Sequence, residues 1–203
     1  VVVPPKGYFE GVQKLLERYQ ILLGVDEVVT AFGRIGDMFG STTMGLKPDL
    51  LVCAKALSSA YIPISALMIA PRVWDSMLTQ SERLGVLGLT MTYSGHPVAT
   101  AVAREVLRIT EEEQIPARVR RLEARFLGGL EKLGRTHRLV GEVRGKGLLA
   151  GVELVRDTSG RAPFPRELQA GPLAQAIGEK HGLMFRAIGD TLAFCPPLVI
   201  SES

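Results

Sequence analysis

The chain has 203 residues, 46% apolar and 22% charged, with 24 Lys and Arg against 21 Asp and Glu and a net charge of +3. This is a globular composition with enough apolar mass for one or two domains. The apolar runs, such as Ile21 to Val25 and Leu50 to Ala54, fall far short of the roughly 20 residues that cross a bilayer, and the weak basic balance gives no footprint for nucleic acid.

The opening Val1-Val2-Val3-Pro4-Pro5 has neither a basic region nor a small-residue cleavage site, so it does not read as a signal peptide. With no initiator methionine, the chain reads as starting partway through a longer protein. Tyr8, Val12, Leu15, Leu16 and Tyr19 recur every three or four residues, which predicts a surface helix between Pro5 and Tyr19. Ile21-Leu22-Leu23-Gly24-Val25 then reads as a short buried parallel strand with Asp26 at its carboxyl tip. Phe32 to Gly40 form a glycine-rich loop of the kind that brings backbone close to a ligand.

After the turn signal Lys47-Pro48-Asp49, Leu50 to Ala54 predict a second buried strand that delivers Lys55 at its end. Ile64 to Ala70, closed by Pro71, predict a third strand of the same sheet. A long helix rises from Gly95-His96-Pro97, and another amphipathic helix covers Ile115 to Leu133. The basic cluster Arg118, Arg120, Arg121 and Arg125 alternates with Val119, Leu122 and Phe126, which reads as a solvated helix face. Two β-like stretches, Leu148 to Leu154 and Thr191 to Phe194, flank a helix near Leu173 to Lys180. Alternating strands and helices make the class α/β, with a first domain over residues 1–105 and a smaller α+β domain over 106–203. Cys53 and Cys195 lie in apolar runs without a close-spaced partner, so no metal site or disulfide framework is expected, and reduced thiols place the protein in a cytoplasm.

A buried ammonium is costly, so Lys55 calls for an explanation. Desolvation lowers a lysine pKa from about 10.4 and gives the free amine that attacks a carbonyl; alternatively the strand end lets the side chain reach water. Asp26, at the tip of a neighbouring parallel strand, would share its edge of the sheet, where ligands of open α/β sheets bind. It reads either as a structural cap or as the partner of a pyridinium nitrogen. Val28 points the same way as Asp26 and would pack on a flat ring or simply in the core. Thr90 to Pro97 are hydroxyl-rich and lead into a helix, which suits phosphate, or a plain cap from Ser94 or Thr92. His96, ahead of a proline, reads as structural. Arg186, in a mostly apolar stretch, suits a substrate carboxylate or an ion pair with Asp190.

Together, Val25-Asp26-Glu27-Val28 with Ala31-Phe32-Gly33-Arg34-Ile35-Gly36, then Ala54-Lys55-Ala56-Leu57-Ser58-Ser59-Ala60-Tyr61-Ile62-Pro63, then Thr92-Tyr93-Ser94-Gly95-His96-Pro97 resemble the class III aminotransferases over essentially the whole chain. The resemblance implies the carboxyl-terminal half of a fold-type I transferase large domain, with a mostly parallel sheet and helices on both faces, followed by a truncated small domain. It implies pyridoxal 5′-phosphate as cofactor, with Lys55 as the Schiff-base lysine, Asp26 on the pyridine nitrogen, Val28 on the ring and Thr92 as a phosphate ligand given by the neighbouring subunit of a homodimer with shared active sites. Arg186 is similar to the arginine that ω-amino-acid and amine:pyruvate aminotransferases use for the substrate carboxylate. The implied reaction moves an amino group from an amine or ω-amino acid to a keto acid such as pyruvate. Aminomutases and decarboxylases of the same scaffold, and a non-catalytic α/β fragment, are the alternatives. The family usually has Gly where this chain has Ala60 and Ser65, and often Thr at Ile35. Its members run to about twice this length, their amino-terminal half supplying a glycine-rich phosphate loop and a ring stacked on the cofactor.

Overall fold

In the computed structural model, which describes residues 1–88, 91–159 and 161–202, the chain forms two compact units. One comprises Pro5–Gly33 and Asp37–Pro116, the other Val1–Pro4, Arg34–Gly36 and Ala117–Ser203.

In the first unit, α1 (Tyr8–Arg18) occupies the expected surface position. It ends with Tyr19 N–H on Leu15 O (3.0 Å) and Ile21 N–H on Leu16 O (2.8 Å), with Gln20 at φ 52° between them. A donor used to close a helix is lost to a ladder. The run expected to be buried from Ile21 therefore becomes strand only at β1 (Gly24–Asp26), and Ile21 and Leu22 remain exposed. After the short helix α2 (Gly40–Thr43), β2 (Leu50–Cys53) pairs with β1 in parallel, Gly24 opposite Leu50, Val25 opposite Leu51 and Asp26 opposite Val52. β3 (Ala66–Ile69) joins the same sheet antiparallel to β2, in the order β1-β2-β3.

Strand alternation divides this sheet. Leu51 and Cys53 face a core that also holds Ala31, Phe32, Leu57 and Ala103, with Leu107 packed against it. Val52 and its cross-strand partner Leu67 face the other way and are 39% and 46% exposed. α3 (Pro71–Leu84) opens on proline and is followed by Gly85 in the left-handed region, φ 71°. α4 (Pro97–Glu112) buries Ala99, Ala103 and Thr110 along one stripe. Its cap is neither Ser94 nor Thr92: His96 Nδ1 accepts the Ala99 N–H at 3.4 Å. Proline at the first helical position leaves the residue directly before it as the cap.

Asp49, at the entry to β2, is almost buried, and Arg72 of α3 grips it with Nε and Nη2 at 2.5 and 2.6 Å while the Leu23 N–H donates to Oδ2 at 2.8 Å. The Arg72 hydrogen bond first, and that of Leu23 second, hold the Asp49 carboxyl below its ordinary pKa, burial opposing them.

The second unit is a helix-on-sheet layer. α5 (Ile115–Thr136), from Ala117 onward, lies with β4 (Val140–Lys146), β5 (Leu149–Leu154), α6 (Ala170–Lys180), β6 (Arg186–Ile188) and β7 (Thr191–Phe194). The strands pair antiparallel in the order β4-β5-β7-β6. Leu130, Ala150, Val152 and Leu192 form its core, with Phe126 and Leu127 of α5 packed on them. The basic cluster on α5 is only partly a solvated face. Arg118 donates to Val199 O and Ile200 O at 2.8 and 3.0 Å, and Arg120 to Gly36 O. Irregular backbone carries carbonyls without ladder partners, and a guanidinium fork satisfies them. Arg34 does the same for Leu148 O (3.1 Å) and Pro196 O (2.6 Å). At the β4–β5 hairpin, Gly147 has φ 58°, and a Cβ there would lie 2.5 Å from Ile35 Cα and 2.6 Å from Arg34 O.

Gly147→Ala combines left-handed strain with overpacking against backbone and should destabilise by about 2–4 kcal/mol, read from denaturant unfolding. The Asp49 carboxylate, with its depressed folded pKa, contributes stability that is full above the unfolded value of about 3.9 and is lost as pH falls through the lower folded one. Thermal unfolding followed from pH 5 downward should therefore show a shallower acid decline for Asp49→Asn than for the native chain.

Candidate active site

The parallel ladder decides where the candidate residues end up. Asp26 closes β1 opposite Val52, and Lys55 follows β2 three residues after Val52, so both lie at the carboxyl edge of adjacent parallel strands. The ladder continues one step past Asp26, where the Glu27 N–H donates to Val52 O at 2.8 Å.

Lys55 begins a 3₁₀ turn, Lys55–Leu57, with φ 45°, in the left-handed region. Cys53 before it and Leu57 after it are both in the core, 2% and 6% exposed. Lys55 itself is exposed, and its amine makes neither a hydrogen bond nor an ion pair with a described residue. The turn sends the flanks inward and the lysine outward. Ser58 secures the segment, its hydroxyl donating to Ile62 O at 2.6 Å from a position 2% exposed.

Asp26 is exposed, and Oδ1 accepts the Val28 N–H at 2.9 Å. One oxygen therefore stabilises the turn, as the capping reading held, while the other has no described partner. Val28 is half-buried. Thr92 is exposed in the turn before α4, where Ser94 N–H meets Met91 O at 2.9 Å, and its hydroxyl has no described partner. Thr90, which opened the hydroxyl-rich segment, lies outside the described residues. The glycine-rich loop closes on itself, with Phe32 N–H on Met38 O at 2.5 Å and Gly33 N–H on Asp37 O at 3.2 Å.

Arg186 belongs to the second unit, as the first residue of the edge strand β6, opposite Ala193. It is exposed and has no described partner. No ion pair forms between it and Asp190, whose Oδ1 accepts the Gly171 N–H at 3.1 Å. Sequence reasoning passed over Glu27, which is wholly buried. Its signal was a second acidic residue at a strand tip, one alternation out of phase with Asp26 and so aimed at the interior. Among the described residues no cluster of His, Cys, Asp and Glu could hold a metal ion, and no helix is long and apolar enough to cross a membrane.

The loop after Lys55 carries a visible cost. Ser59 and Ala60 both have positive φ, 47° and 64°, and Ala60 is a position where the resemblance calls for glycine. Ala60→Gly should stabilise by about 0.5–1 kcal/mol, the relief of left-handed strain exceeding the added entropy of the unfolded chain. Ala56→Gly, at a residue without positive φ, should destabilise, and paired denaturant titrations read both signs.

Comparison with known proteins agrees with this geometry. The family model described as Aminotransferase class-III matches residues 1–203. Gamma-aminobutyrate transaminase 1, mitochondrial, from Oryza sativa subsp. indica is 46% identical over 201 residues, 99% of this chain and 39% of the relative. Gamma aminobutyrate transaminase 3, chloroplastic, from Solanum lycopersicum is 44% identical over 99% of this chain and 38% of its own length. The chain thus spans about two fifths of the curated relatives it matches. Among solved structures, the omega transaminase from Pseudomonas jessenii in complex with PMP superposes with a TM-score of 0.96 at 46% identity, covering 100% of this chain and 44% of that one. A transaminase with L-ala gives 0.96 at 50% identity, covering 100% and 47%.

Proposed function

Because the chain belongs to the class III aminotransferase family, we propose that it is the lysine-bearing part of a pyridoxal 5′-phosphate-dependent aminotransferase. The enzyme moves an amino group from an amine or ω-amino acid to a keto acid such as pyruvate. The observation that carries this reading is the parallel register of β1 and β2, which sets a carboxylate and a lysine at one sheet edge. The donor set fits the cofactor. Asp26 keeps one oxygen uncommitted, Lys55 keeps its amine unpaired among the described residues, and the half-buried Val28 stands two residues beyond Asp26. Relatives named for gamma-aminobutyrate, itself an ω-amino acid, support the substrate class.

Bound there, pyridoxal phosphate supplies an electron sink for the charge left on the substrate carbon when its proton departs. Lys55 would hold the cofactor through its amine, and that amine, when free, would carry the proton to and from the substrate carbon. Asp26 would pair with the ring nitrogen and keep it protonated, and Val28 would pack on the ring. Arg186 takes the substrate carboxylate, where its planar fork gives two parallel hydrogen bonds. Thr92 serves the phosphate of a neighbouring subunit, so the working form is a homodimer with shared active sites. The cofactor-binding large domain takes residues from 1 to near 105 and the small domain the rest, a division that falls within α4, ahead of the boundary between the compact units after Pro116. The free thiols of Cys53 and Cys195 support a cytoplasmic setting, whereas the plant relatives above are mitochondrial and chloroplastic by name.

In the complete enzyme, Lys55→Ala should abolish the visible absorption of covalently held cofactor and lower amine transfer to pyruvate by about 10³-fold or more. Retention of both would remove Lys55 from this role.

A further inference from the structure

Glu27 stands between the two residues assigned to the cofactor ring, yet its side chain is turned away from them and fully buried. An isolated carboxylate in that setting is costly unless it is paired or hydrogen-bonded. Three donors meet it: the Gly40 N–H at 2.6 Å on Oε2, the Ser41 N–H at 2.5 Å on Oε1, and the Thr30 hydroxyl at 2.8 Å on Oε2. Its main chain is equally committed, the N–H donating to Val52 O at 2.8 Å and the carbonyl accepting the Ala31 N–H at 3.1 Å. One residue therefore joins the tip of β1, the last part of β2 and the first turn of α2.

We infer that Glu27 is a positioning residue, whose buried carboxylate locks the strand tip to the start of α2 and so fixes how Asp26 and Val28 are presented to the cofactor. The inference rests on the reading of Asp26 as the partner of the ring nitrogen. Three donors aimed at two oxygens demand a carboxylate. A glutamine offers one oxygen, and its NH₂ group faces a backbone N–H across a contact where both groups donate. An aspartate keeps the charge but is one methylene shorter, so it cannot reach both N–H groups from the same backbone. The charge is also felt next door: burial, and to a lesser degree Glu27, hold the Cys53 thiol above its ordinary pKa, with a backbone hydrogen bond at Ala66 opposing. The Glu27 N–H on Val52 O, three residues ahead of Lys55, ties it to the segment that bears the lysine as well.

The test uses the complete holoenzyme with Glu27→Gln and Asp26→Asn, measuring pyridoxal phosphate dissociation by equilibrium dialysis and the pH midpoint of the cofactor's visible band. Circular dichroism establishes folding. Glu27→Gln should weaken cofactor binding about tenfold, the scale of one lost charge-assisted hydrogen bond, and move the band midpoint in the same direction as Asp26→Asn. A folded Glu27→Gln enzyme with native affinity and an unmoved midpoint would overturn the inference. If Glu27→Gln does not fold, Thr30→Val removes one of the three donors at constant volume and is held to the same criterion, with a two- to threefold loss expected. Native behaviour of Asp26→Asn would instead remove the underlying reading of Asp26, which separates the two failures.

Discussion

The parallel pairing of Gly24–Asp26 with Leu50–Cys53 is the constraint on which the site depends. A parallel ladder aligns strand directions, so residues beyond the carboxyl ends of neighbouring strands share an edge whatever their separation in sequence. An antiparallel pairing of the same two segments would set Asp26 at one end of the sheet and Lys55 at the other. The pairing of Asp26 with Val52 also decides the face: Asp26 stands on the side opposite the Leu51 and Cys53 core, and Glu27, one residue on, turns into it. Two acidic neighbours thus acquire different roles by alternation alone, one presented outward and one enclosed.

Much of this was legible in sequence because it is periodic or terminal. Helices α1, α4 and α5 followed from apolar spacing, and the strand preceding Lys55 from an unbroken apolar run closed by a change of character. Pro97 at a helix start carried its usual meaning. The helix after Pro71 carried the same opening signal, and Gly85 a stop signal, but the sequence reading uses Pro71 only as the close of the preceding strand. β4 was hidden for a different reason. Its sequence, Val140-Gly141-Glu142-Val143-Arg144-Gly145-Lys146, holds two glycines and three charges, a pattern that argues against a strand. Those glycines exist for contact: a Cβ on Gly141 would lie 2.5 Å from Val155 Cγ1, and one on Gly145 2.7 Å from Leu127 Cδ2. Only the packed structure supplies that reason.

Lys55 is the point at which local sequence left two readings open, an enclosed amine or a strand end open to water. Apolar neighbours on both sides suggested an enclosed amine, but a side chain follows its own backbone torsions and not the polarity of its neighbours. With φ at 45°, the residue leaves the strand alternation, so Cys53 and Leu57 enter the core while the lysine is exposed. The expectation about Asp26 was too sharply divided for a related reason. A carboxylate has two oxygens, and the Val28 N–H occupies one without consuming the other, so the two readings do not exclude each other.

Left-handed backbone at a lysine costs about 1–2 kcal/mol, and such strain persists only where the surroundings over-determine it. Here the determinants are visible. Leu57 and Cys53 are anchored in the core on either side, the Leu57 N–H returns to Ala54 O at 3.0 Å, and the buried Ser58 hydroxyl clasps Ile62 O. On the other strand, the Glu27 carboxylate performs the equivalent service for Asp26 by way of α2. Lys55 and Asp26 are thus carried on short segments anchored by buried partners behind them, while the Lys55 amine and one Asp26 oxygen have no described partner. A backbone held from behind and a side chain left free is the arrangement a nucleophilic amine would use. The strain at residue 55 is consistent with that division of labour, because a relaxed strand continuation would place the next residue by alternation and return the amine to one face of the sheet.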